Sequence, residues 1–220
     1  MTRFRKNVCW AAISLLAVVP ALAQAQHQEQ HPPQDTSHYI KVLEGPGRDA
    51  WQQPEKVMAT LALKPGQSVA DLGSGPGYFT LRFARAVGLS GRVYGVDISR
   101  EMLDYLAKQA RTENLTNIQP LLAEPHNPKL PSASVDMIFI CNTLHHIPDR
   151  ATYYPLLMRA LKPGGRLVNI DFHKRPLPVG PPVRMKIPKA EMIREAEAAG
   201  FHLVHQYDFL KYQYFLVFTR

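Results

Sequence analysis

The sequence predicts a doubly wound α/β fold, and three observations carry that expectation. Strand-like and helix-like segments alternate from about residue 50 to the end of the chain. The run Val135-Asp136-Met137-Ile138-Phe139-Ile140 is almost unbroken apolar sequence, as expected of a parallel strand covered on both faces. A glycine-rich turn, Gly73 to Gly77, joins a strand pattern to a helix pattern, the place where such sheets bind ligands.

The first segment is not part of that alternation. Arg3, Arg5 and Lys6 precede an apolar stretch from Val8 to Val19, then Pro20 and Ala21-Leu22-Ala23. This basic, apolar, small-residue order is that of a secretory signal peptide over residues 1–23, cleaved after Ala23 or Ala25. The stretch is short for a membrane span, so no stable membrane insertion is expected after cleavage and the mature chain is expected to be periplasmic or secreted. Residues 24–48 follow as a flexible linker, rich in Gln, His and Pro at its start. His27, His31 and His38 lie there without fixed ligand spacing, so no metal site is expected.

The domain over residues 49–220 then unfolds element by element. Pro54 suits the first turn of a helix whose apolar face is Val57, Met58 and Leu61, broken by Lys64-Pro65-Gly66. Ser68 to Leu72 is a strand ending in glycines, and Tyr78 to Val87 a helix. Arg92 to Asp97 is the second strand, and Ser99 caps a helix striped by Met102, Leu106 and Ala110. Ile118 to Ala123 is a strand carrying Pro120, which places it at a sheet edge. After the apolar strand, a short helix is expected from Pro155 to Leu161, and Lys162-Pro163-Gly164-Gly165 turns into a strand from Arg166 to Asp171. Residues 173–188 are proline-rich and irregular. A helix from Lys189 to Ala199 closes at Gly200, and the chain ends in Leu203-Val204 and the aromatic run Tyr212 to Phe218.

Composition narrows the function classes. At 220 residues, with 45% hydrophobic and 20% charged residues, the chain can bury a core and is neither disordered, collagenous nor a multi-pass membrane protein. Two cysteines, Cys9 and Cys141, exclude a disulfide framework. The net charge is +8, and losing residues 1–23 leaves +5 without any Lys/Arg run, so no nucleic-acid partner is expected. The partner expected is a small-molecule substrate.

The chemistry concentrates in Val69-Ala70-Asp71-Leu72-Gly73-Ser74-Gly75-Pro76-Gly77. Glycines after a strand permit a tight turn and close approach of the backbone to a ligand. Asp97 ends the next strand, where a carboxylate accepts both hydroxyls of a ribose. The spacing is G-x-G-x-G, not the G-x-G-x-x-G that places helix amides on a pyrophosphate. Asp71 at the turn also disfavours a pyrophosphate and suits an ammonium group. A nucleoside with a cationic amino-acid tail is S-adenosylmethionine, and a nicotinamide-dependent dehydrogenase is correspondingly disfavoured.

With these residues in place, the chain from about 50 to 220 resembles the class I S-adenosylmethionine-dependent methyltransferases. The motifs agree in order: Asp71 to Gly77, Asp97, Ala133 to Ile138, and Leu161-Lys162-Pro163-Gly164-Gly165-Arg166-Leu167. The resemblance implies a Rossmann-like seven-stranded sheet with an antiparallel last strand inside it. It implies cofactor contacts from Asp71, Gly73, Ser74, Gly75 and Gly77, from Asp97 with Ile98 beside the adenine, and from Cys141 and Asn142 beside the methyl group. Many relatives carry an acid after the third strand for the adenine amino group; here the sequence is Ala123-Glu124-Pro125-His126-Asn127, so Glu124 or Asn127 would serve. Trp51-Gln52-Gln53-Pro54, Leu144-His145-His146-Ile147 and Gly180-Pro181-Pro182 look like a bacterial, small-molecule branch. His145 and His146, just past the fourth strand, are the candidate bases, and Cys141 reads as a small packing residue. Residues 174–182 would cover the substrate, and Tyr39 and Trp51 the cofactor. The alternative function is a non-catalytic S-adenosylmethionine-binding sensor or scaffold.

Overall fold

The computed structural model describes residues 35–220. The expected signal peptide, and the linker up to residue 34, lie outside the described residues. From Thr36 the linker expectation needs correction: Thr36–Leu43 is a helix, α1, and Arg48–Gln52 a second, α2. Asp35 starts α1 by accepting a hydrogen bond from the His38 backbone N–H at 2.9 Å. The Gln/His/Pro bias stops before this point, and Ile40 and Leu43 give the segment apolar side chains to lay on the domain.

The remaining elements are α3 (Pro54–Leu61), β1 (Ser68–Leu72), α4 (Thr80–Val87), β2 (Arg92–Asp97), α5 (Arg100–Thr112), β3 (Ile118–Leu122) and β4 (Val135–Cys141). They are followed by α6 (Arg150–Ala160), β5 (Leu161–Phe172), α7 (Lys189–Ala198), β6 (His202–Tyr207) and β7 (Gln213–Thr219). The seven strands form one sheet in the order β3-β2-β1-β4-β5-β7-β6. β3 with its Pro120 is an edge, and β7 runs antiparallel between β5 and β6, both as expected. The order reverses between β1 and β4, which puts the switch point, and the ligand crevice, above the ends of those two strands.

Each strand splits its side chains between two cores. Leu72, Ile138, Ile140, Tyr214, Leu216 and Phe218 pack with Leu157 and Met192 of the α6–α7 layer. Val69, Met137, Phe139, Val168, Phe215 and Val217 pack with Val57 and Phe83 of the α3–α4 layer. At the bottom of the sheet, Asp136 accepts from the Ser68 N–H at 2.7 Å and from Lys162 Nζ at 2.8 Å, joining the starts of β1, β4 and β5. Among the described residues no helix is long and apolar enough to cross a membrane.

Two boundaries differ from expectation. The helix foreseen from Pro155 begins at Arg150, because Asp149 caps it through the Thr152 N–H, and buried Tyr153 and Tyr154 anchor the turn ahead of the proline. β5 begins at Leu161, and the Lys162 to Gly165 turn is an irregularity within its pairing to β4.

Glycines at Gly77 and Gly95 make room for one side chain. A Cβ at either position would lie 2.5 Å from a methyl of Leu106, which α5 pushes against the sheet. Gly95→Ala is expected to cost about 1–3 kcal/mol of stability by overpacking. In Leu106→Ala the methyl groups are gone, so the same glycine substitution should cost much less there; urea denaturation of the two singles and the double variant measures the coupling, and additive effects would show that Leu106 is not the obstacle.

Candidate functional site

The crevice is built from the loops that leave β1, β2 and β4. Gly73 takes φ +74°, and a Cβ there would fall 2.1 Å from the Thr143 hydroxyl, so the turns after β1 and β4 touch through a missing side chain. The backbone N–H groups of Gly73 and Ser74 both donate to the Val96 carbonyl, at 2.8 and 3.0 Å, closing the β1 turn onto β2. One Asp97 oxygen accepts from the Gly75 N–H and the other from the Ser99 N–H, each at 2.9 Å. Burial holds the Asp97 carboxyl above its ordinary range, against these amide hydrogen bonds. Each carboxylate oxygen retains acceptor capacity for a ligand hydroxyl.

Asp71 lies deeper. It is 4% exposed, and its Oδ2 accepts from the Thr80 hydroxyl at 2.6 Å. Burial pushes it up to about 7, partly offset by the Thr80 hydrogen bond and by the charge of Arg48. That arginine, on the first turn of α2, was absent from the sequence-based candidates. Its guanidinium stands 3.7 Å over the Tyr78 ring, and its Nη1 donates to the Leu43 carbonyl at 2.8 Å. Its charge acts on both Asp71 and Cys141. Two buried polar atoms in this neighbourhood, Arg48 Nε and Ser74 Oγ, have no hydrogen-bond partner among the described residues. α1 covers the turn: Leu43 comes within 3.3 Å of where a Gly75 Cβ would stand, Tyr105 donates its hydroxyl hydrogen to Glu44, and Tyr39 feels the charge of Asp97.

Next to this cradle three amides close a ring. Gln52 Nε2 donates to Gln213 Oε1 at 3.0 Å, and Gln213 Nε2 donates to Asn142 Oδ1 at 2.6 Å. Asn142 Nδ2 returns to Gln52 Oε1 at 3.5 Å, and the Cys141 thiol approaches the same oxygen at 3.6 Å. Gln52 and Gln213 are wholly buried. Asn142 takes φ +58°, a conformation asparagine tolerates better than most side chains. Burial pushes the Cys141 thiol up to about 12, so it is a packed thiol and not a nucleophile.

Beyond the ring, a 3₁₀ turn at Leu144–His146 brings His145 against the end of β5. Its Nδ1 lies 2.8 and 3.0 Å from the two oxygens of Asp171, with both side chains almost completely buried. A carboxylate accepts there, so Nδ1 is the ring nitrogen that carries a hydrogen toward Asp171, and Nε2 is the ring nitrogen left for another partner. The His146 ring packs 4.2 Å from that of His145, and desolvation with the neighbouring histidine lowers it to about 4.

The cradle matches a known family. The segment 69–165 fits the family model described as a methyltransferase domain. The chain is 31% identical to a solved S-adenosylmethionine-dependent methyltransferase from Aquifex aeolicus, covering 84% of this chain and 98% of that one with a TM-score of 0.79. This chain belongs to the S-adenosylmethionine-dependent methyltransferases. Among curated relatives, it is 35% identical over 112 residues to a ubiquinone/menaquinone biosynthesis C-methyltransferase of Vibrio vulnificus, covering 50% of this chain and 43% of that protein. It is 30% identical over 117 residues to a demethylmenaquinone methyltransferase of a Geobacillus strain, covering 53% of this chain and 50% of that protein. The chain thus spans about half, or less, of the length of these curated relatives.

The family's cofactor fits the residues in place. Asp97 can hold the ribose, Gly73 and Gly75 open the backbone, Asp71 can face an ammonium, and the orphaned Arg48 Nε and Ser74 Oγ can donate to a carboxylate. Ile98 is half-buried beside Asp97. Gly77 is explained by Leu106. Glu124 is exposed and its carboxylate pairs with Lys129 at 2.5 Å, while Asn127 pairs with the Glu124 backbone. Among the described residues no group of His, Cys, Asp and Glu could hold a metal ion. Of the residues missed by sequence reasoning, Gln52 lies within the Trp51 to Pro54 motif and Arg48 three residues before it, whereas Asp171 and Gln213 gave no local signal.

Asp71 generates a prediction. Its folded pKa of about 7 lies above the ordinary 3.8, so the folded chain holds the extra proton between those values. Stability without cofactor should therefore fall as pH rises from about 4 through 7. Asp71→Asn should remove this fall, raising the melting temperature at pH 8 but not at pH 5. Parallel melting curves for both chains would refute the buried-carboxyl assignment.

Proposed function

We propose that the chain transfers the methyl group of S-adenosylmethionine to a small-molecule acceptor, with His145 as the proton acceptor. The observation that carries this reading is the juxtaposition, at one switch point, of the Asp97–Gly75 cradle and the buried His145–Asp171 pair. When bound, S-adenosylmethionine supplies an electrophilic methyl group. The chain supplies the rest. Asp97 and the glycine turn orient the nucleoside, Asp71 and Arg48 sort the two charges of the amino-acid tail, and the amide ring holds the end of β4 in place. Asp171 fixes the His145 tautomer so that Nε2 can take a proton from a protonated acceptor. The curated relatives named as quinone-related methyltransferases support a small-molecule acceptor.

Calorimetry tests the cofactor half. S-adenosylmethionine should bind the purified chain, and Asp97→Ala should weaken binding at least tenfold, the scale of one lost charge-assisted hydrogen bond. Unchanged affinity would remove Asp97 from the ribose. For the base, His145→Gln should lower turnover about 10²–10⁴-fold on an identified acceptor, with cofactor affinity retained. Loss of cofactor binding and of thermal stability together would instead mark His145 as structural.

We also infer that the chain is exported, on the basic and apolar order of residues 1–23. Mass spectrometry of the protein from its native host should find a new N-terminus at Gln24 or Gln26. An intact Met1 or Thr2 in a cytoplasmic fraction overturns that inference.

A further inference from the structure

The segment between β5 and α7 carries a charge that the cofactor cradle does not use. Lys186 is 2% exposed. Its Nζ donates to the Arg175 carbonyl at 2.9 Å, which spends one of its three hydrogens. Among the described residues no carboxylate lies within ion-pair distance of it, although the charge of Asp171 reaches it. Burial and Arg175 lower the lysine pKa, as expected of an ammonium short of counter-charge. The chain around it repeats the sign: residues 173–189 hold Lys174, Arg175, Arg184, Lys186 and Lys189 and no Asp or Glu.

The neighbours of Lys186 connect it to the methyl-transfer site. Its Nζ stands 5.8 Å from the Phe172 ring centre. Gly180, at φ +88°, lets the segment lie directly on that ring, since a Cβ there would be 2.8 Å from its atoms. Phe172 meets Trp51 with ring centres 5.7 Å apart, and Trp51 precedes Gln52 of the amide ring. Phe172 also follows Asp171, the partner of His145. An aromatic wall of half-buried Trp51 and buried Phe172, their rings tilted 40° to each other, therefore links the amide ring at the end of β4 to a buried ammonium.

We propose that Lys186 is the counter-ion of an aromatic acceptor bearing an ionisable hydroxyl, seated against Phe172 and Trp51 with its oxyanion on Nζ. The proposal rests on the methyl-transfer reading above. An ionised phenol-type oxygen completes the hydrogen bonding of Lys186, its ring matches the aromatic wall, and its proton goes to His145 Nε2. A cationic acceptor would be repelled by the five basic side chains. An anionic membrane surface is the weaker match, because a lysine this buried cannot reach it.

The probe is 4-nitrophenol, whose anion alone absorbs in the visible, against the neutral isostere 4-nitrotoluene. Both are titrated into the full chain saturated with S-adenosylhomocysteine. The anion band should grow on binding, 4-nitrophenol should bind at least tenfold tighter than 4-nitrotoluene, and added salt should narrow the gap. Lys186→Gln should erase the preference while Lys186→Arg keeps most of it, with S-adenosylhomocysteine affinity and the folded circular-dichroism spectrum unchanged in both. Equal affinity for the two probes, no binding of 4-nitrophenol, or a preference that survives Lys186→Gln overturns the proposal. So does binding of the wild-type chain to anionic phospholipid vesicles that Lys186→Gln abolishes while the probes are ignored. Failure of S-adenosylhomocysteine to bind at all would instead strike the methyl-transfer reading.

Discussion

Asp97 ties together two strand ends that the rest of the site hangs from. One oxygen holds the Gly75 amide and the other the Ser99 amide, so a single half-buried carboxylate sets the glycine turn after β1 and the start of α5 after β2. Burial works against its charge, and the amides offset part of that cost. An unsatisfied carboxylate at this depth would be expensive, so the two turns are constrained to stay where they can donate. The geometry of the crevice is thus enforced before any ligand arrives, which reduces the ordering that a ligand must drive.

The same principle recurs with less complete compensation. Asp71 has a single hydroxyl partner, Lys186 a single carbonyl, and Arg48 Nε and Ser74 Oγ have none among the described residues. Polar groups left short of partners in a folded chain cost stability. Asp71, Arg48 and Ser74 gather at the crevice, which marks it as a part shaped for something other than folding, while the other unpartnered buried atoms, on Asn117 and Asn169, lie before β3 and within β5.

Much of this was legible in sequence because its causes are local. A glycine turn after a strand, a serine ahead of a helix and a proline in an edge strand each leave a mark within a few residues, and β1, β2, β3 and α5 stand where those marks put them. What was not legible depends on partners far along the chain. Gln213 looks like any polar residue opening a strand until Gln52, 161 positions away, is brought beside it. Asp171 ends a strand without comment until the turn after β4 delivers His145. Gly77 reads as a ligand glycine because its neighbours do, yet Leu106 of α5 is what needs the space. α1 was obscured by the composition of the residues before it.

The placement of β7 has a consequence for the order of assembly. It is the last strand in the chain but not the last in the sheet: it pairs with β5 on one side and β6 on the other. Until Gln213 to Thr219 are available, β6 has no partner in the sheet and β5 presents an open edge of buried-type side chains. The sheet therefore cannot grow outward in chain order on this side. Its final seven residues act as a wedge, and the amide that completes the ring at the crevice, Gln213, rides on their leading end. Long-range closure of this kind is intrinsically slow and leaves an incomplete chain exposed to wrong pairings. A polypeptide stopped short of residue 213 would lack both the interior strand and a corner of its binding crevice, so completion of the fold and competence of the site arrive together.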